Sequence, residues 1–252
     1  ERRNTRRKNN NRRQGEYSMT KKLPSVFVCM PTYDQMHVAT GLSLIKLFDK
    51  FRDAKIKTEI STFKCPYVAY GRNLLTALFL NSNYDYQLFI DSDVEFDPKV
   101  VGRMLVSEKD IICTPYRKKT QDNTIQYSVA FKNPTDIQID TKGLTEITIG
   151  PAGLTLVHRR VYEKLMKDHP HLKIKQKEVI GDANKYFYNF WDTVFDQKSG
   201  YWWGEDTHFS NLATQAGFKF YAVVDGETTH HGNFGFRGTL LDTFKRTDEK
   251  TN

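Results

Sequence analysis

At 252 residues, with 38% hydrophobic and 13% aromatic content, the chain is long enough to fill one globular core. Its net charge of +8 is uneven, because residues 1–22 hold nine Lys/Arg against two Glu and leave the remainder at +1. A near-neutral remainder argues against a nucleic-acid-binding core, and no apolar run approaches the length of a membrane span.

Residues 1–22 are rich in Arg and Asn and lack apolar periodicity, which predicts a basic disordered tail or linker. Met19 is a candidate start, and the chain is equally readable as a piece of a longer one. The folded part is expected over 23–245. Residues 25–29 form a β-rich run that ends in the loop Pro31-Thr32-Tyr33-Asp34. Leu44, Ile45, Phe48 and Phe51 then recur at helical spacing, with Leu47 beside them. A strand follows at 57–62, a helix at 68–80 broken by Asn81-Ser82-Asn83, and a strand at 86–90. Asp97-Pro98 opens another helix, Asp as N-cap and Pro at the first position, before a strand at 110–113. This alternation predicts an α/β fold with a parallel, doubly wound sheet that takes ligands at the carboxyl ends of its strands.

The second half changes character. Strands are expected at 124–132 and 145–149 with no helix between, then a turn at 150–153, a strand at 154–157 and a helix at 160–167. Residues 169–200 are polar, aromatic and irregular, which suggests a flexible loop. A helix over 205–216 stops at Gly217, a strand fills 218–224, and His230-His231-Gly232 is expected in a loop. The reading is one domain, with a nucleotide-binding half at 23–120 and a mixed half at 121–245. Cys29, Cys65 and Cys113 show no C-x-x-C spacing and are expected to be reduced thiols. There is also no N-x-S/T sequon, Asn133 being followed by Pro134, so a cytoplasmic location is expected.

The most informative stretch is Leu88-Phe89-Ile90-Asp91-Ser92-Asp93, an apolar strand running into two carboxylates one residue apart. Strand alternation would point both acids to one side. Such a pair suits Mg²⁺ or Mn²⁺, which take one or two carboxylates and complete their shell with substrate phosphate oxygens. That chemistry points to a nucleoside diphosphate. Arg72, near a helix start, offers a guanidinium fork for a diphosphate or base, or a structural ion pair. Arg117, Lys118 and Lys119 after the fourth strand either neutralise a leaving diphosphate or face solvent.

Several pieces recur in a fixed order: the strand into Pro31-Thr32-Tyr33, Ala69-Tyr70-Gly71-Arg72-Asn73 opening a helix, the D-x-D triplet, and Gly150-Pro151-Ala152-Gly153 before Leu154. Gly204-Glu205-Asp206 and His230-His231-Gly232 follow. In this order the chain resembles GT-A-fold glycosyltransferases, similar to inverting family-two enzymes and to the Anp1-like mannosyltransferases. The resemblance implies a GT-A fold with a mixed central sheet and a nucleoside-diphosphate sugar, UDP- or GDP-linked, as donor. It implies Mn²⁺ or Mg²⁺ as cofactor and a glycan or other hydroxyl compound as acceptor. Pro31, Thr32, Tyr33, Asp34, Arg72, Asp91, Ser92 and Asp93 would bind the donor. Asp91, Asp93 and either His230 or His231 would hold the metal. Asp206, with Glu205 beside it, would be the general base, and Gly153, Trp202 and Trp203 would face the acceptor, under the 169–200 loop. The rival readings are a sugar nucleotidyltransferase and a non-catalytic glycan- or nucleic-acid-binding module. The loop Met30 to Asp34 lacks the glycine and basic residues that a nucleotidyltransferase would carry there.

Overall fold

The computed structural model describes residues 23–120, 124–176 and 180–244, so the expected N-terminal tail lies outside the described residues. The chain begins β1 (Val26–Thr32), α1 (Val38–Asp53), β2 (Thr58–Lys64), α2 (Val68–Asn81), β3 (Tyr86–Ile90). A short β4 (Val94–Phe96), α3 (Pro98–Val106) and β5 (Ile111–Cys113) follow. The second half adds β6 (Leu144–Ile147), β7 (Leu154–His158), α4 (Arg159–Asp168) and the hairpin β8 (Val194–Asp196) and β9 (Tyr201–Trp203). It closes with α5 (Glu205–Gln215), β10 (Phe220–Val223), β11 (Thr228–His231) and β12 (Gly235–Gly238).

Seven strands make the central sheet in the order β2-β1-β3-β7-β5-β10-β6. β2, β1, β3, β5 and β10 run one way, while β7 lies antiparallel between β3 and β5 and β6 closes the edge antiparallel to β10. The sheet is therefore mixed, and the parallel order expected of the first half is interrupted by a strand from the second. Alternation along the buried strands feeds two cores. Val28, Leu88, Ile90, Ile112, Leu154 and Leu156 meet α1 and α3 on one face. Cys29, Phe89, Ile111 and Val157 meet α2, α4 and α5 on the other.

Helix signals hold well. Asp97 caps α3 by accepting from the Lys99 N–H at 2.9 Å with Pro98 behind it, and Gly217 follows α5 at φ +88°, where a side chain would be strained. Within α1, Leu44, Leu47 and Phe51 are buried, but Ile45 is exposed, since it sits one residue off the buried stripe. Three expectations need correction. Residues 124–132 form no strand, only isolated bridges from Tyr127 to Arg117 and Ala130 to Ile149, because the segment finds two different partners and pairs with neither beyond a single residue. Between 169 and 200 the chain is not a free loop: Phe187, Phe190 and Trp191 are fully buried, and Trp191 stacks on Phe209 at 4.0 Å. His230 and His231 lie on β11, in a three-stranded sheet ordered β12-β11-β4, and not in a loop. The three cysteines are free thiols as expected, Cys29 and Cys113 buried and Cys65 half-buried.

Candidate active site

The carboxyl ends of β1, β3 and β5 meet along one edge of the sheet, and most of the expected residues collect there. The chain leaves β3 at Ile90 and turns through Asp91-Ser92-Asp93, closed by the Val94 N–H donating to the Asp91 carbonyl at 3.2 Å. Leaving the strand ends the alternation, so the two acids part ways. Asp91 Oδ1 accepts from Arg72 Nη2 at 2.8 Å and its Oδ2 from the Tyr116 hydroxyl at 3.2 Å. Asp93 Oδ2 accepts from Lys119 Nζ at 2.5 Å, and its Oδ1 lies 3.5 Å from His230 Nε2. Burial alone would raise the Asp93 carboxyl, but His230 and Lys119 outweigh it and hold it at about 2. Ser92 contributes backbone, its carbonyl accepting from the His37 N–H at 2.8 Å.

Arg72 sits on α2, 2% exposed, with Nε donating to Glu205 Oε1 at 3.2 Å and its guanidinium over the Phe89 and Trp191 rings. Burial alone would lower its pKa; Asp91 and Glu205 more than offset this and raise it. The side chain is thus a strut from the end of β3 to the start of α5, the ion-pair alternative of the sequence reading. Its Nη1 is buried without a protein partner.

Tyr116 went unnoticed in the sequence, although an aromatic three residues past an apolar strand falls on the ligand edge of such a sheet. Its hydroxyl donates to Asp91 and accepts from the Gly153 N–H at 3.2 Å, and its ring meets that of His230 edge-on at 4.7 Å. Burial and then the Asp91 charge push its pKa well up, so it remains a neutral phenol. A Cβ on Gly153 would fall 2.2 Å from Asp91 Oδ2 and 2.5 Å from the Tyr116 oxygen, so this approach requires glycine.

Alternation on β11 separates the two histidines. His231 turns to Glu95, Nε2 to Oε2 at 2.9 Å, and stacks on His37 at 3.7 Å, away from Asp93. His230 faces Asp93. Its Nδ1 lies 3.0 Å from the Arg117 carbonyl, an acceptor only, so the ring proton of neutral His230 resides on Nδ1. In that form the Nε2 lone pair faces the Asp93 carboxylate, and the two groups can share a cation, either a second ring proton or a metal ion.

Glu205 and Asp206 open α5 behind the N-cap Gly204. Asp206 Oδ1 accepts from the Thr207 N–H at 2.7 Å, and burial, then the Glu205 charge, raises its pKa. On the β8–β9 hairpin Trp202 is 71% exposed beside its cross-strand neighbour Phe195, whereas Trp203 is half-buried. Tyr33 is exposed, Asp34 is ion-paired with Lys64, and Pro31 and Thr32 end β1, where the Thr32 carbonyl accepts from the Cys65 N–H.

Among the described residues no three His, Cys, Asp or Glu side chains converge on one point. Asp93 and His230 nonetheless form a two-ligand set of the kind Mg²⁺ or Mn²⁺ uses when phosphate oxygens fill the other positions. The carbonyl that fixes the His230 tautomer adds the outer support such ligands carry. The residues therefore fit a divalent ion at Asp93 and His230, with Asp91 held back by Arg72 and Tyr116.

No protein-family model matches the chain, and no curated protein matches it in sequence. Solved structures do. The A197 protein of STIV aligns at 20% identity over 82% of this chain and 86% of that one, with a TM-score of 0.48. A glycosyltransferase involved in glycosylation of the major capsid of PBCV-1 aligns at 12% identity over 64% and 72%, with a TM-score of 0.34. TarS of S. aureus aligns at 14% over 66% and 54%, with a TM-score of 0.33. These likenesses concern shape alone, so the fold is judged on the sheet itself. A single domain with a mixed α/β sheet, one antiparallel strand beside β3 and a ligand edge at the strand ends is consistent with the GT-A class. The fold is GT-A-like. No helix among the described residues is long and apolar enough to cross a membrane.

Proposed function

We propose that this chain is a glycosyltransferase that moves a sugar from a UDP- or GDP-linked donor to a hydroxyl of a glycan or other acceptor. The observation that supports the reading is the Asp93–His230–Lys119 group at the ligand edge, which touches, through the His230 and Tyr116 rings, the Tyr116–Asp91–Arg72–Glu205 chain of hydrogen bonds leading to α5. Asp93, kept ionised, and His230 Nε2 would hold Mn²⁺ or Mg²⁺, imidazole favouring Mn²⁺. When bound, the ion supplies Lewis acidity to the departing diphosphate.

The remaining work falls to this chain's side chains. Asp206 accepts the proton of the acceptor hydroxyl as its oxygen attacks the anomeric carbon and the carbon–phosphate-oxygen bond breaks, an inverting displacement. A raised pKa suits it to that role near neutral pH. Arg72, bonded to both Asp91 and Glu205, fixes the acid-bearing end of α5 relative to the D-x-D turn. Trp202 offers an exposed face to the acceptor, and Tyr33 one to the nucleobase.

The test is thermal stability against UDP-, GDP-, CMP- and dTDP-sugars with and without Mn²⁺, together with donor hydrolysis, on the wild type and Asp93→Ala. A metal-dependent shift with one nucleotide, lost in the variant and accompanied by turnover, is the expected result. Binding without turnover would favour a non-catalytic module. Pyrophosphate release from a nucleoside triphosphate and sugar phosphate would favour a nucleotidyltransferase.

A further inference from the structure

Both oxygens of Asp93 are bracketed by nitrogen groups, His230 Nε2 on one side and Lys119 Nζ on the other. We propose that Lys119 is the stand-in cation of Asp93 in the unliganded protein, and that its ammonium passes to the donor's diphosphate when a divalent ion takes the Asp93–His230 position. Metal and nucleotide then bind as a coupled pair. This rests on the donor reading above and adds its order of assembly.

Three observations support a swing of this side chain on a fixed base. The backbone beside it is pinned, because the Arg117 carbonyl accepts from His230 and the Lys118 N–H donates to the Gln126 carbonyl at 2.7 Å. The stem lies across Gly232, where an added Cβ would come within 3.2 Å of Lys119 Cδ and 3.5 Å of Cε. This gives the glycine after the paired histidines a role, as the floor under the lysine. Lys119 and Asp93 are each about one-third exposed, so an incoming ligand reaches the pair directly.

The electrostatics follow. A divalent ion arriving alone must displace an ammonium from the carboxylate and leave it without a counter-charge close to the ion. A diphosphate arriving alone draws the ammonium away and strips Asp93 of its partner. Arriving together, each supplies what the other removes, since the metal satisfies Asp93 and the phosphate oxygens satisfy Lys119. The flexible four-carbon stem of lysine suits such a move. By linkage, the factor by which Mn²⁺ tightens nucleotide binding equals the factor by which nucleotide tightens Mn²⁺ binding.

The experiment titrates Mn²⁺ into the full chain with and without UDP or GDP, by calorimetry and by the Mn²⁺ electron-spin signal, for wild type, Lys119→Met and Lys119→Arg. In Lys119→Met, Mn²⁺ alone should bind about tenfold more tightly and the metal–nucleotide coupling should shrink by about the same factor. Lys119→Arg, which keeps the charge, should retain weak binding of metal alone. Unchanged or weaker Mn²⁺ binding in Lys119→Met, with coupling intact, overturns the proposal. If the wild type binds neither nucleotide with or without Mn²⁺, the donor reading and the hand-over to diphosphate both fail. The Mn²⁺ titration of Lys119→Met then still decides whether the lysine guards Asp93.

Discussion

Asp93 and Asp206 carry opposite perturbations, and each has its own pH signature. Asp93 is depressed from 3.8 to about 2, so its pairing contributes stability that is fully present above the unfolded value and is lost as pH falls from about 4 towards 2. Acid titration of Asp93→Asn should therefore lose less stability across that window than wild type, read by the urea midpoint at each pH. Asp206 is raised, and in its proposed role as base it must be ionised. The acid limb of kcat/KM should lie above the ordinary carboxylate range, with activity falling as pH drops through it. Asp206→Asn should lower kcat by roughly 10²- to 10⁴-fold while leaving donor affinity within a few-fold. An unchanged kcat in that variant would remove Asp206 from the chemistry. At this scale the sequence told a good deal: residue types near Asp91, Asp93, Glu205 and Asp206 were readable because strand ends and helix starts are local signals. Which acid meets which partner was not, since Arg72, Tyr116, Lys119 and His230 arrive from distant positions.

Among elements, those with internal periodicity or caps were legible and those defined by their neighbours were not. α3 announces itself through Asp97-Pro98, and α5 through Gly217. β4, three residues long, and β12, which includes two glycines, are strands only because β11 lies between them. That same pairing puts His230 and His231 on opposite faces, which no loop assignment could specify. The turn before β7 carries the sharpest packing constraint. Gly153→Ala would drive a methyl group into the Asp91 carboxylate and the Tyr116 hydroxyl, whose backbone supports leave little room to retreat. Its effect should be a loss of about 1 to 3 kcal/mol in urea unfolding and disturbed donor binding. The aromatic segment after α4 is anchored more simply: Trp191→Ala, fully buried against Phe209 and Phe89, should cost about 3 to 5 kcal/mol. A cost near zero would mean that this segment is not part of the core.

For the molecule as a whole, charge is partitioned from shape. Residues 1–22 hold nearly all the excess positive charge, so removing them should abolish most retention on a polyanion column at low salt without altering donor binding. Composition alone was enough to see this, whereas strand order was not. β7 is the reason. It enters between β3 and β5 from more than forty residues beyond the end of β5, so the sheet edge that carries the candidate site is incomplete until residue 158 is available. On the ribosome, β3 would wait with one side open and β5 with neither of its neighbours, leaving strand edges open to stray pairing. The antiparallel insert ties assembly of the candidate site to late synthesis. A chain cut short of it would lack both a closed sheet and a scaffold to hold Asp91 beside Tyr116.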